Sequence, residues 1–322
     1  MKKTLTALLL ALLILTGCGP KAPAETNQTG QTTDPAPSTE PEVTWQTFPA
    51  DRQLLAKQYF VYSCETGEFL VSAEAPETRI YPASVTKLFT AYVALPYLNA
   101  AKTVTAGDVL NMVAAGSSVA EIKKGDSLTV EQLVAGMLLP SGNDAAYILA
   151  EAAGRAMHGE KAKEISTETA VKRFVEEMNA QAKLLGMTGT NFANPDGIHS
   201  DNHYTTYKDL AILGTLVQGD PIIRKYASTA NMTVTLSSGS VTWKNTNELV
   251  NPNSQYYCAY ATGLKTGQTP MAGSCLLTSF EYRGQTLLVG VFGCPQPEDR
   301  FPDTLQLFTQ AVKPRTEAPG VS

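Results

Sequence analysis

An excess of positive charge is the first thing this sequence lacks. Its 25 Lys and Arg against 30 Asp and Glu leave a net charge of −5. That gives no basic footprint for a phosphate backbone, and no nucleic-acid partner is expected. Long apolar runs are also missing: beyond Leu15 no stretch is long enough to span a bilayer. The cysteines show no metal-binding or redox spacing, so neither a metal nor a cofactor is expected. No internal repeat is present, which argues against a solenoid or propeller. What remains is ordinary globular material. An apolar fraction of 43% over 322 residues is enough to bury the core of one large domain or two small ones.

The N-terminus has a different character. Lys2 and Lys3 precede an apolar run from Leu5 to Leu15, the form of a secretory signal over residues 1–17. The run ends in Leu15-Thr16-Gly17-Cys18, which resembles the lipobox of bacterial lipoproteins. The resemblance implies cleavage before Cys18, lipidation of that cysteine, and anchoring of the exported chain to the outer face of the cytoplasmic membrane. Acyl chains hold because each buried methylene contributes about 0.8 kcal/mol. Residues 18–45 are rich in Pro, Thr, Gln, Ala and Glu and cannot bury enough apolar surface to offset their ordering entropy. They read as a disordered tether, residues 46–313 as the folded domain, and residues 314–322 as a tail.

Within the folded domain, two β-rich runs from Gln58 to Val71 flank Glu65-Thr66-Gly67, a hairpin signal. The middle, about residues 84 to 227, carries helical spacing. Thr129 with Gln132 fits a capping box, Gly154 is expected to end an Ala-rich helix begun at Asp144, and Gly186 to close another from Ala170 to Leu185. Tyr207 to Val217 reads as a further helix. Hairpins then return at Met232–Trp243 and Ser274–Phe292, and a closing helix is expected over Asp303–Val312. The pattern is α+β: a sheet with strands from both ends of the domain, plus a mostly helical subdomain.

Three fragments carry chemistry. Ser84-Val85-Thr86-Lys87 contains the only Ser-x-x-Lys in the sequence, at the expected start of a helix. Three residues make nearly one turn, so both side chains share a face. A serine hydroxyl needs a base to become a nucleophile, and a desolvated lysine can be that base. Ser141-Gly142-Asn143 offers a hydroxyl and an amide from a tight link between helices. Lys265-Thr266-Gly267, with Gln268 after it, lies in strand-like context.

In this order the three fragments resemble the signatures of the penicillin-recognising serine enzymes. Pro82 to Leu95, Ser141-Gly-Asn-Asp-Ala, Leu185 to Gly197 and Gly263-Leu-Lys-Thr-Gly-Gln-Thr narrow the resemblance to the D-alanyl-D-alanine carboxypeptidases, the low-molecular-weight penicillin-binding proteins. The resemblance covers about residues 50 to 312. It implies a β-lactamase/transpeptidase-like fold, with an antiparallel five-stranded sheet flanked by helices. It also implies trimming of the terminal D-alanine from peptidoglycan stem peptides through an acyl-enzyme on Ser84, and inhibition by β-lactams. By the same resemblance Lys87 is the base, and Ser141 passes a proton to the leaving amine. Asn143 holds a substrate amide, Lys265 and Thr266 bind the substrate carboxylate, and the N–H groups of Ser84 and Gln268 form the oxyanion hole. Arg300 occupies the place of an arginine that helps bind the terminal carboxylate. Lys265 is expected to lower the pKa of Lys87 by repulsion. By the same resemblance the protein is expected to lack the C-terminal β-domain and amphipathic anchor that many members of the family carry, with the lipid on Cys18 replacing that anchor. A β-lactamase, or a transpeptidase or endopeptidase with the same fold, is the alternative.

Several other features are set aside. Ser200-Asp201-Asn202 matches a β-lactamase motif literally, but lies too far from Ser84 and in what reads as a polar surface loop from Asn194 onward. His199 and His203 flank it, and a solvated or loop-bracing role fits them better than a metal site. Glu176 and Glu177 read as the solvated face of a helix. The glutamate with which β-lactamases activate their deacylating water is then absent, and a β-lactam adduct should be released slowly. Cys275 and Cys294 lie at mirrored ends of a hairpin, where they either pair or stay free.

Overall fold

The computed structural model describes residues 52–313; the expected signal, Cys18 and its lipid, the tether and the tail lie outside them. β1 (Gln58–Ser63) and β2 (Glu68–Ser72) form the first hairpin, with Gly67 supplying the positive φ of the turn. β3 (Arg79–Ile80) leads through Pro82 and a 3-10 turn, Ala83–Val85, into α1 (Thr86–Ala94). β4 (Thr103–Thr105) pairs with β5 (Ser127–Thr129), which feeds α2 (Val130–Leu138). The capping box at Thr129 and Gln132 forms with both hydrogen bonds made, at 2.9 and 3.1 Å. α3 (Asn143–Met157) and α4 (Thr167–Leu184) follow. β6 (Thr205–Thr206) returns to pair with β3, then come α5 (Tyr207–Gln218) and α6 (Pro221–Ser228). β7 (Asn231–Leu236) and β8 (Gly239–Lys244) make a separate hairpin. β9 (Ala261–Thr269), β10 (Gly273–Tyr282), β11 (Gln285–Cys294) and α7 (Arg300–Val312) close the domain.

The main sheet has five strands in the order β2-β1-β11-β10-β9, antiparallel throughout, so strands from both ends of the domain do meet in it. Successive side chains on a strand face opposite sides, and here both sides are covered. Phe60, Leu277 and Leu288 join the core shared with the helices, whereas Val61, Leu276 and Val289 pack under Phe301, Leu305 and Phe308 of α7. β9 is an edge strand, with β10 on one side only. Its other edge is free to pair with an extended peptide.

This division of faces settles the cysteines. Cys64, Cys258, Cys275 and Cys294 are all free. A bulge between Ser274 and Leu276 sets Cys294 opposite Ser274. Cys275 then belongs to the helix-side core and Cys294 to the α7 side, so the sheet itself separates the two thiols. Burial pushes both up to about 12, which keeps them protonated and inert.

Three helix ends differ from expectation by three residues or more, the first being α4, which begins at Thr167 rather than Ala170. α7 begins at Arg300 rather than Asp303. Asp303 is wholly buried, pairs with Arg52 at 2.5 Å and takes the N–H groups of Leu55 and Ala56. α3 runs through Gly154 to Met157. Gly154 is there for packing, because a Cβ at this position would lie 1.9 Å from the carbonyl oxygen of Ala170 on α4. Gly154→Ala is therefore expected to destabilise the fold by about 1–3 kcal/mol despite alanine's better helix propensity. A urea midpoint at or above wild type would contradict this.

Candidate active site

The 3-10 turn and first turn of α1 place Ser84 and Lys87 on one face, as the spacing requires. Lys87 Nζ donates to Ser84 Oγ at 2.7 Å and to the carbonyl oxygen of Asp196 at 2.7 Å. Lys87 is fully buried while Ser84 stays partly exposed. Burial brings the ammonium down to about 8, against the pull of the Asp196 and Asp144 carboxylates. A neutral Lys87 keeps an N–H for Asp196 and turns its lone pair to the Ser84 hydroxyl. That is a nucleophile with its base.

Lys265 reaches the same place from β9. It is fully buried, and Nζ donates to the Thr266 carbonyl oxygen at 3.2 Å, Thr266 Oγ1 at 3.4 Å and Thr246 Oγ1 at 3.5 Å. Burial first, then repulsion from Lys87 and Arg300, holds it well below the ordinary lysine value. The expected influence of Lys265 on Lys87 is thus corrected. Burial lowers Lys87, and the repulsion is felt at Lys265. Gly267 allows the closest approach between β9 and the nucleophile, since a Cβ there would meet Ala83 Cβ at 2.9 Å and Ser84 N at 3.1 Å. Gln268 follows and is exposed. Arg300, at the head of α7, sends Nη1 to the Gly267 carbonyl oxygen at 3.4 Å, and its buried Nε has no hydrogen-bond partner among the described residues. Lys265 and Arg300, so arranged, attract an anion such as a carboxylate.

The Ser141 turn is the third wall. Its approach is tied to β9 through the Thr246 N–H, which donates to Leu139 O at 3.0 Å, and through Thr246 Oγ1, which bonds Thr266 Oγ1 at 2.6 Å. Ser141 and Asn143 are buried, and no hydrogen bond joins the Ser141 side chain to Lys87 among the described residues. Backbone strain marks the site. Of the five described non-glycine residues with positive φ, Ala83, Ser141 and Leu264 each sit in or beside one of the three fragments. Such strain is held only where surrounding structure enforces it, and it clusters at functional sites.

Other residues shape the site, some of them not singled out from sequence. The stretch from Asn194, expected at the surface, is buried at Pro195, Asp196 and Gly197. It forms the floor under Ser84. Thr90 Oγ1 donates to Pro195 O at 2.6 Å, and a Cβ on Gly197 (φ +87°) would lie 1.9 Å from Ala83 O. His203 braces this floor as anticipated. Its Nδ1 accepts the Ala193 N–H, so Nε2 carries the proton and donates to Thr86 Oγ1 at 2.8 Å. Burial brings the ring down to about 4 and keeps it neutral. Glu177, expected in solvent, is buried and bonded to Tyr97, Arg173 and Gln181; only Glu176 is exposed.

Asp144 is another. Its carboxylate takes the N–H groups of Ala120 and Ile122 at 2.8 and 3.0 Å, clamping that loop to the Asn143 turn, where Asn143 N donates to Ser118 O. An asparagine can accept only through its carbonyl oxygen. Asp144→Asn is expected to cost about 1–3 kcal/mol from the orphaned N–H; an unchanged urea midpoint would refute the clamp.

An activated serine beneath an antiparallel edge strand, faced by buried cations, defines an active-site-serine acyl-transfer architecture. Comparison with known proteins agrees. A profile of the D-alanyl-D-alanine carboxypeptidase family matches residues 45–296, and the chain belongs to that family. It is 34% identical over 225 residues to a D-alanyl-D-alanine carboxypeptidase of Streptomyces sp. strain K15, covering 67% of this chain and 73% of that one. The Bacillus subtilis enzyme DacF is 28% identical over 249 residues, 76% of this chain; the match spans 59% of the Bacillus enzyme's length. Among solved structures, the Streptomyces K15 DD-transpeptidase superimposes with a TM-score of 0.71 at 30% identity, over 84% of this chain and 99% of that one. Penicillin-binding protein D2 from Listeria monocytogenes in its cefotaxime-bound form gives a TM-score of 0.66 at 28% identity, over 82% and 99%. The expected α+β penicillin-binding fold is therefore the observed one.

Proposed function

We propose that this protein is a serine D-Ala-D-Ala carboxypeptidase that trims the terminal D-alanine from peptidoglycan stem peptides. The observation that carries this reading is Lys87 Nζ, 2.7 Å from Ser84 Oγ and lowered to about 8. The stem peptide lies along the free edge of β9. Lys265, Thr266 and Arg300 hold its terminal carboxylate, which supplies the counter-charge these cations lack, and Asn143 holds a peptide amide. Ser84 Oγ attacks the penultimate carbonyl as Lys87 takes its proton. The oxyanion forms against the N–H groups of Ser84 and Gln268, where losing one donor typically costs about 2.7–4 kcal/mol. Ser141, with Lys87, delivers the proton to the departing D-alanine nitrogen. Water then cleaves the ester and restores Ser84.

A β-lactam offers the same carbonyl and carboxylate. It acylates Ser84 and, with no glutamate here placed like the β-lactamase base, leaves slowly. The substrate fits an exported enzyme, with the signal over residues 1–17 removed and the chain lipid-anchored through Cys18. No helix among the described residues is long and apolar enough to cross a membrane.

The test is D-alanine release from defined tri-, tetra- and pentapeptide stems. The pentapeptide should lose one residue. Absence of release, together with no mass adduct from benzylpenicillin, would overturn the reading. Because the Streptomyces relative is a DD-transpeptidase, an added acceptor amine makes a useful further arm. Amide product exceeding free acid would assign transfer rather than hydrolysis, and rapid multiple turnover of benzylpenicillin would assign a β-lactamase.

A further inference from the structure

We propose that the cavity beside Arg300 receives the side chain of the residue that the reaction releases, and that it favours a long side chain ending in an amine. This rests on the carboxypeptidase reading above and names its leaving-group class. The cavity is about 590 Å³ and is lined by Thr246, Glu248, Tyr256, Glu298, Arg300 and Phe301, among others. Two of these belong to the carboxylate site as well: Thr246 through its bond to Thr266, and Arg300 through its bond to Gly267. The released residue's α-carbon bears both the carboxylate and the side chain, so a carboxylate held there turns the side chain into this cavity. D-alanine would leave it almost unused, since a methyl group is close to a water in size, about 30 Å³.

The lining states what would fill it. Tyr256 and Phe301 stack at 5.0 Å to make an apolar wall suited to methylenes. Glu248 and Glu298 supply negative charge. Glu248 accepts only the Asn251 side-chain amide, and neither glutamate forms an ion pair among the described residues. Arg300 is 8% exposed with its Nε unpartnered. Once a substrate carboxylate satisfies Arg300 and Lys265, the two glutamates remain as uncompensated charge facing the cavity. A diamino acid bonded to the stem through its α-amine has the matching pattern: carboxylate, methylenes, then a cation. The chemistry is unchanged. The amide C–N bond breaks, the Ser84 ester forms, the leaving nitrogen takes the serine's proton, and water hydrolyses the ester.

Three otherwise identical stem peptides test this, ending in D-Ala-D-Ala, D-Ala-D-Lys and D-Ala-D-norleucine, with kcat/KM measured for release of the last residue. D-lysine is expected to leave about fivefold faster than D-norleucine, the scale of a partly exposed charge pair. Glu248→Gln with Glu298→Gln should bring that ratio near one. Should the double variant not fold, Glu298→Lys, at an exposed position, should invert the ratio. Release of D-alanine but neither longer residue overturns the cavity's role while leaving the carboxypeptidase reading intact. Equal release of D-lysine and D-norleucine by wild type overturns the charge preference. Failure to release even D-alanine overturns both.

Discussion

Ser84→Ala is expected to lower D-alanine release by about 10⁴–10⁶-fold, the range seen when a serine hydrolase loses its nucleophile. Binding should survive. The carboxylate-holding groups lie on β9 and α7, whereas the Ser84 hydroxyl touches only Lys87 and the Asp196 carbonyl oxygen. A pentapeptide stem should therefore bind the variant with a Kd within a few-fold of wild type. The benzylpenicillin adduct seen by intact mass on wild type should be missing. The fold should also hold, since Ser84 is only partly buried and substitutions away from special packing usually change stability by less than about 0.5 kcal/mol. An adduct that persists on Ser84→Ala would remove Ser84 from its role. Loss of peptide binding together with release would instead show that the variant had lost the site's shape.

Local pattern carried the sequence reading where the chemistry is local. Ser84 and Lys87 are one helical turn apart, and their contact follows from that spacing. The Thr129 capping box and the strand context of Lys265 were legible for the same reason, as was the α+β order of elements. What could not be read depends on residues distant in the chain. Asp196 meets Lys87 across 109 residues, and its segment, Asn-Pro-Asp-Gly, has the composition of a surface turn. Nothing in that composition says that the turn folds inward under the nucleophile. Gly154 reads as a helix terminator until α4 crosses it. Cys275 and Cys294, at mirrored ends of a hairpin, could equally pair or stay free until a single bulge assigns them to opposite faces. The charge balance around Lys87 was legible only in sign. The sequence supplies a second lysine, but the larger influence is burial by the elements closing over α1.

That burial gives the second large effect. Lys87 must be neutral to accept the serine proton, so kcat/KM should rise about tenfold per pH unit below pH 8 and level off above it. Lys87→Met is expected to lose about 10²–10⁴-fold at the plateau, the usual contribution of a general base, and to lose the rising limb with it. Stability provides an independent reading with a definite sign. The folded value, about 8, lies below the ordinary 10.5. Between these limits the unfolded chain binds a proton that the folded chain does not. Wild-type stability must then rise with pH across this window, by about 3 kcal/mol from this residue. Below pH 8 the full cost of burying the ammonium is present; above about 10.5 it is gone. Lys265 is lowered in the same direction, so the wild-type curve alone cannot assign the effect. The difference between wild-type and Lys87→Met urea stabilities isolates Lys87 together with its repulsion of Lys265, because the larger influence on Lys265, its burial, remains in both. That difference should be flat below pH 8 and shift in favour of wild type as pH climbs toward 10. Parallel curves, with a rising limb of activity that survives in Lys87→Met, would mean that another group takes the proton from Ser84.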